Sequence, residues 1–286
     1  MTVCDVLIMD SGSGGLSIWR ALTASMPELN TVYLADFNHY PYGEQSEAAL
    51  IARLRHLVGR CIEDWQPKIV VIACNTASTV VLDALRAQFP LPFVGVVPAI
   101  KVAALASQQH CIGLLATPGT IRRSYIDRLI EEFAPHCRVV RVGSSELVHM
   151  AERQIRSEGN HNRQSLNEDT ALLSSIIEPF RAAGCDQVVL GCTHFPLLKA
   201  AFQNALPDIN WVDSTAAICR RVATLWSDHG KFKSAEAGQG EPASHLLLFT
   251  EPKPAATTDQ QRIAVLDDRW TAAMLGMGFR KIERLD

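Results

Sequence analysis

The feature that most constrains this chain is an alternation of short apolar runs with longer stretches of helical periodicity. The runs CDVLIMD, TVYLAD, KIVVIAC, PFVGVV, HCIGLLAT, RVVRVG, QVVLGCT and INWVDS read as strands. Between them, segments such as SEAALIARLRHLVGRCIEDW, TIRRSYIDRLIEEF and DTALLSSIIEPFRAAG place apolar residues at three and four spacing with charges opposite. Strand, helix, strand units of this kind form a mostly parallel sheet covered by crossover helices on both faces, an α/β fold. A length of 286 residues exceeds the usual single domain, and 48% apolar with 20% charged residues is the profile of a folded globular body.

Comparing the chain with itself sharpens the expectation. KIVVIACNTAS at 68–78 and QVVLGCTHFPL at 187–197 share one pattern, a buried strand ending in Cys. VCDVLIMDSGSGGLS and HCIGLLATPGTIRRS, each ahead of one of these cysteines, also resemble each other. Two similar, pseudo-symmetric α/β domains with mostly parallel sheets account for this. The first is expected to take residues 1–98 and 211–286, and the second, an insertion, 99–210. In such sheets ligands sit beyond the carboxyl ends of the strands, where Asp10, Cys74, Thr117 and Cys192 fall, so the active site is expected in the cleft between the domains. After the helical STAAICRRVATLWSDHG, the polar stretch 230–243 reads as an exposed loop, followed by one more strand, HLLLFTE, and one more helix, DQQRIAVLDDRWTAAML.

Charge and composition exclude several classes of function. A net charge of -3 gives no basic stripe to neutralise phosphates, so nucleic acid is not an expected partner, and a small-molecule substrate is. No apolar run approaches the roughly 18 to 20 residues that span a bilayer, and no basic region precedes the first strand, so neither a membrane span nor a signal peptide is expected. Eight cysteines stand at 4, 61, 74, 111, 137, 185, 192 and 219 with no CxxC spacing, which argues against structural zinc and for reduced thiols in a cytoplasm. Cys4, Cys111 and Cys219 lie among apolar neighbours and read as small buried hydrophobes.

DSGSGG at 10–15 invites comparison with phosphate loops, but the GK[ST] ending of the Walker pattern is absent and Ser17 stands where a dinucleotide loop needs Gly or Ala. A substrate carboxylate suits the same geometry. Cys74 ends an apolar strand and precedes Asn75, Thr76 and Ser78 at a helix start, where the positive end of the helix dipole favours thiolate. Cys192 repeats the arrangement with Thr193 and His194, whose imidazole can exchange a proton with the thiol. A single reactive thiol points to a nucleophile. Two symmetric thiols point to stereoinversion, one removing a proton from one face of a tetrahedral carbon and the other delivering one to the opposite face. No metal or cofactor is expected. A pyridoxal phosphate lysine is the alternative, although Lys101 and Lys199 read as solvated helix residues.

DSGSGG at 10–15, YPYG at 40–43, ACNTAS at 73–78 and LGCTHFPLL at 190–198 resemble the glutamate racemases of bacterial wall synthesis, and GVVPAIK at 95–101 and LATPGTIRRSYI at 115–126 extend the likeness. The resemblance implies cofactor-free interconversion of L- and D-glutamate, the D-isomer feeding peptidoglycan, by a cytoplasmic enzyme that forms a homodimer. It implies Cys74 as acid/base on the D-glutamate face and Cys192 on the L-glutamate face, assisted by Asp10 and His194 respectively. Substrate contacts are implied for Asp10, Ser11, Tyr42, Gly43, Asn75, Thr76, Thr117, Thr193 and His194, and auxiliary roles for Asp36 and Glu152. For Glu152 a solvated helix carboxylate, and for Asp36 a turn cap, are the alternatives. The chain begins at its first strand, from which independence of a peptidoglycan-precursor activator is expected. Rival readings are a racemase or isomerase of the same superfamily acting on aspartate, a hydantoin or maleate, and a non-catalytic module that binds an amino acid or a protein. Thr193 followed by His194 favours glutamate.

Overall fold

The apolar runs form strands, and every pairing between them is parallel. The structure, a computed structural model, describes residues 4–156, 163–228, 243–251 and 268–285. In chain order the first elements are β1 Val6–Asp10, α1 Leu16–Ser25, β2 Thr31–Ala35, α2 Glu47–Trp65, β3 Ile69–Ile72, α3 Asn75–Gln88, β4 Phe93–Gly95 and α4 Ile100–Ala106. There follow β5 Cys111–Ala116, α5 Pro118–Ile121, α6 Ser124–Phe133, β6 Arg138–Gly143, α7 Glu146–Arg156 and α8 Arg163–Ala182. The chain ends with β7 Gln187–Leu190, α9 Lys199–Ala205, β8 Asn210–Val212, α10 Thr215–Asp228, β9 His245–Phe249, α11 Asp268–Met277 and β10 Lys281–Arg284.

The chain divides into two units, Met1–Val96 with Thr215–Asp286, and Val97–Ser214. The first holds a sheet of order β10-β9-β2-β1-β3-β4, the second a sheet of order β6-β5-β7-β8. The central strands β1, β3, β5 and β7 are buried at every residue, as expected where helices cover both faces of a parallel sheet. In the first unit Leu7, Met9, Val70 and Ile72 meet Leu50, Leu54 and Leu57, the apolar face of α2. Gly15, at the start of α1, has no room for a side chain, because a Cβ there would lie 2.9 Å from both the Ala73 Cβ and the Tyr33 Oη.

The two sheets repeat one design, since β2-β1-β3-β4 and β6-β5-β7-β8 follow the same order. Main-chain bonds give the register residue by residue. The Ala73 N–H donates to the Met9 carbonyl at 2.7 Å, and the Gly191 N–H donates to the Leu115 carbonyl at 2.7 Å. The Asp36 N–H donates to the Asp10 carbonyl at 2.8 Å, and the Ser144 N–H to the Ala116 carbonyl at 2.9 Å. Cys74 and Cys192 are therefore equivalent, each one residue beyond a bonded pair. The counterpart of Thr117 is Ser11, while Asp10 and Asp36 correspond to Ala116 and Ser144. The acids of the first half have no acidic counterpart at these positions of the second.

Several expectations change. The second unit does not end at 210, because β8 pairs with β7 through Asn210 and Gln187 and so belongs to the second sheet. The Ser214 hydroxyl bonds the Val97 carbonyl at 2.5 Å, tying together the two ends of this unit. The helical stretch at 120–133 is two helices rather than one, since Thr117 caps α5 and Arg123 takes an extended conformation (φ -76, ψ 131) before α6. β10 was not expected: KIER contains a single apolar residue and becomes a strand by pairing with β9. Cys4 and Cys111 are buried, but Cys219, on α10, is only partly so. The stretch 230–243, apart from Ala243, and the first part of the last expected helix, 259–267, lie outside the described residues.

Candidate active site

In the first unit the loops after β1, β2 and β3 carry the expected residues. Cys74 is extended (φ -141, ψ 123) and forms the N-cap of the 14-residue helix α3, so the partial positive charge of the helix N-terminus lies at the thiol. The turn is locked by Ser78, whose hydroxyl donates to the Ile72 carbonyl at 2.9 Å and accepts from the Val96 N–H at 2.9 Å. Asp10, 1% exposed, ends β1, and its Oδ1 accepts from the Ser11 N–H at 2.5 Å and lies 3.2 Å from the Ser11 hydroxyl. Tyr42 is 1% exposed and begins the 3-10 turn Tyr42–Glu44, which also holds Gly43. Burial and the neighbouring Asp36 carboxylate, followed by Cys74 and Asp10, push the Tyr42 phenol well above its ordinary range. These groups thus share one electrostatic neighbourhood. Asn75 and Thr76 are buried in the first turn of α3, and the Asn75 Oδ1 has no hydrogen-bond partner among the described residues.

Asp36 does not cap its turn by its side chain. Its carboxylate is fully buried and ion-paired with Arg53, at 2.7 Å.

The second unit equips its cysteine differently. Cys192 was expected to repeat the helix start of Cys74, but it is followed by a bend, the 3-10 turn Phe195–Leu198 and the seven-residue α9. Pro196 sits in that turn. In place of a long helix dipole, Cys192 has an imidazole. Its Sγ lies 3.7 Å from His194 Nδ1, and His194 Nε2 lies 2.8 Å from Glu152 Oε1. His194 is 4% exposed and Glu152 1% exposed, so Glu152 is no solvated helix carboxylate. Burial pulls the His194 proton affinity down, but the bonds and charges of Cys192 and Glu152 outweigh it and hold the imidazole well above its ordinary range. Thr193 is buried beside them, while Thr117 accepts from the Thr120 N–H at 3.3 Å and caps α5.

Of the remaining thiols, Cys4 and Cys61 behave as packing groups. Burial pushes Cys61 up to about 12 and Cys4 higher still, and both are essentially sealed, whereas Cys74 and Cys192 each keep 8% of their surface open. Lys199 is a half-exposed helix residue paired with Asp213 at 3.0 Å, and Lys101 is exposed. No helix among the described residues is long and apolar enough to cross a membrane.

Residues not foreseen from sequence are Arg53 and Thr250, which reach Asp36 from α2 and from the end of β9. Arg53 had a faint signal, a cation directly before Leu54 in the apolar stripe 50, 54, 57, 58, 61. Thr250 had none, since it lies 214 residues from its partner.

The raised proton affinity of His194 makes a prediction about stability. A group whose affinity rises on folding contributes fully below its unfolded pKa, and the contribution is lost as pH rises through the folded value. Glu152→Gln is expected to destabilise the protein most between about pH 5 and 6.5, where carboxylates are ionised and an unperturbed histidine is still protonated. The deficit should shrink toward alkaline pH. Urea unfolding of both proteins across this range measures it, and a deficit that grows with pH contradicts the pairing.

Two parallel α/β units that repeat one design, each with a cysteine just beyond a central strand, point to one class of enzyme, the amino-acid racemases. The model of the Asp/Glu/hydantoin racemase family matches residues 16–222. A glutamate racemase of Vibrio cholerae is 47% identical over 77% of this chain and 80% of its own. One of Shewanella woodyi is 45% identical over 86% and 89%. The crystal structure of Escherichia coli glutamate racemase, in complex with L-glutamate and the activator UDP-MurNAc-Ala, superposes with a TM-score of 0.80 at 36% identity, covering 99% of this chain and 98% of that one. The chain belongs to the Asp/Glu/hydantoin racemase family and, within it, to the glutamate racemases, isomerases that interconvert the enantiomers of glutamate.

Proposed function

We propose that this chain interconverts L- and D-glutamate by a two-base route without a cofactor, with Cys74 serving the D-glutamate face and Cys192 the L-glutamate face. The observation that carries the reading is the register equivalence of the two cysteines, which gives each parallel sheet one thiol at the same strand end. An α-hydrogen removed by one thiolate leaves a carbanion that the other thiol protonates from the opposite side, inverting the centre. Asp10 assists Cys74, and His194, supported by Glu152, assists Cys192.

Substrate is held at the same strand ends. Ser11, Thr76, Thr117 and Thr193 supply short polar groups beside the thiols, and the buried Asn75 Oδ1 supplies an acceptor for an ammonium. The Tyr42 phenol is donated to Asp36 at 3.0 Å, so what Tyr42 and Gly43 offer a substrate carboxylate is the main-chain N–H. The reading places the enzyme in the cytoplasm, as a homodimer that supplies D-glutamate to peptidoglycan.

Racemisation followed by circular dichroism, first with L-glutamate and then with L-aspartate, tests the substrate; turnover of aspartate alone would assign the chain to a sister activity. Dialysis against chelator plus hydroxylamine is expected to leave the rate intact, and a loss restored by pyridoxal phosphate would replace the two-thiol route. In deuterated water, product formed from either enantiomer should carry solvent deuterium from the earliest times. Adding UDP-MurNAc-Ala to the same assay separates the expected activator independence from the behaviour of the Escherichia coli relative.

A further inference from the structure

Asp36 is fully buried at the end of β2, where an uncompensated carboxylate would be costly. Four bonds compensate it. Arg53 spans both oxygens, with Nε 3.0 Å from Oδ2 and a terminal nitrogen 2.7 Å from Oδ1. The Tyr42 hydroxyl donates to Oδ2 at 3.0 Å and the Thr250 hydroxyl to Oδ1 at 2.7 Å. Each oxygen accepts twice, which exhausts the roughly four acceptor sites of a carboxylate. A carboxylate so occupied holds its donors in place; it is not set to take a proton from a substrate.

Two of the donors come from α2 and from the end of β9, both anchored in the sheet and helix framework. The third is Tyr42, the first residue of the turn that includes Gly43. The framework therefore reaches the turn through one carboxylate. We propose that Arg53 is a positioning residue for substrate binding, fixing the Tyr42–Gly43 turn through its two-pronged bond to Asp36. This rests on the reading above that the turn grips the substrate carboxylate.

Planarity is what the task requires. A guanidinium holds both carboxylate oxygens and fixes the rotation of Asp36, whereas an ammonium neutralises the charge but leaves that rotation free. Arg53→Lys separates the two roles. Because the grip is on a carboxylate common to both enantiomers, its loss should raise both KM values and leave both isotope effects alone, whereas the loss of a group that serves one thiol should alter the isotope effect from one enantiomer.

The experiment measures KM, kcat and the primary isotope effect for L- and D-glutamate, with thermal unfolding in parallel, for the wild type, Arg53→Lys and Tyr42→Phe. Arg53→Lys is expected to raise KM for both enantiomers about tenfold, with isotope effects unchanged and the melting temperature near that of the wild type. Tyr42→Phe keeps the ion pair and removes only the link to the turn, so it should reproduce the KM rise. It remains a test even if Arg53→Lys fails to fold. Wild-type KM in both variants overturns the proposal, as does a changed primary isotope effect from one enantiomer alone, which would put Asp36 in the proton-transfer chemistry. Failure of the underlying reading looks different, since Gly43→Pro, which removes a main-chain N–H of the turn itself, would then also keep the wild-type KM.

Discussion

Replacing Cys192 by Ala is expected to stop racemisation, with a loss of about a thousandfold or more, while the variant still exchanges the α-hydrogen of D-glutamate with solvent. On the proposed two-base route each thiol attends one face of the substrate, so the surviving Cys74 should remove a proton and return a solvent-derived one to the same side. Exchange without inversion is the result. Cys74→Ala should show the mirror image, exchanging L-glutamate alone. The two cysteines are equivalent by register, and each keeps 8% of its surface open, unlike the sealed Cys4 and Cys61. Proton NMR in deuterated water reports loss of the α-hydrogen from each enantiomer, and circular dichroism reports inversion. Racemisation within tenfold of the wild type in either variant would end the two-base account, as would exchange of the same enantiomer by both.

The second large effect concerns what makes a thiol basic enough. An unperturbed cysteine is only a few per cent thiolate at pH 7, and ionising it costs about 2 kcal/mol. The halves meet this differently. Cys74 caps a 14-residue helix and has Asp10 nearby, so two influences act on it. Cys192 lacks a long helix and relies on His194, backed by Glu152 at 2.8 Å. His194→Asn is expected to slow proton removal from L-glutamate by about a hundredfold, and Asp10→Asn to slow removal from D-glutamate by less, because the α3 dipole remains. Net turnover does not reveal this, because the equilibrium constant fixes the ratio of kcat/KM in the two directions. The primary isotope effect from each enantiomer does, as does the rate of α-hydrogen elimination from each enantiomer of a chlorinated substrate analogue. Equal losses for both enantiomers in both variants would refute the pairing of Asp10 with Cys74 and of His194 with Cys192.

Much of this was legible before any coordinate. Periodicity marked the buried parallel strands because a strand covered on both faces must be apolar at every position, as β1, β3 and β7 are. The repeat was visible because KIVVIAC and QVVLGCT keep the same strand-to-cysteine spacing, so the expectation of a two-thiol chemistry followed from local sequence. Failures came where an element owes its form to a partner. β10, with a single apolar residue, exists by pairing with β9, and β8 joins the second sheet by pairing with β7. The difference between Cys74 and Cys192 was hidden for a related reason, since both follow a similar strand but only one starts a long α-helix.

What the sequence by itself determined, then, is the strands that are apolar throughout, their parallel arrangement and the repeat that sets a cysteine beyond one strand of each sheet, all encoded in contiguous residues. Tertiary structure alone decided what each buried charge meets. MAERQIRSE left Glu152 open between an auxiliary role and a solvated helix carboxylate, yet the fold seals it against His194, which lies 42 residues further on. Asp36 reads as a strand end, yet its oxygens are shared among Arg53, Tyr42 and Thr250, the last 214 residues away. The physical reason is that a buried carboxylate must find donors wherever the fold brings them, and long-range proximity leaves no periodic trace in the chain.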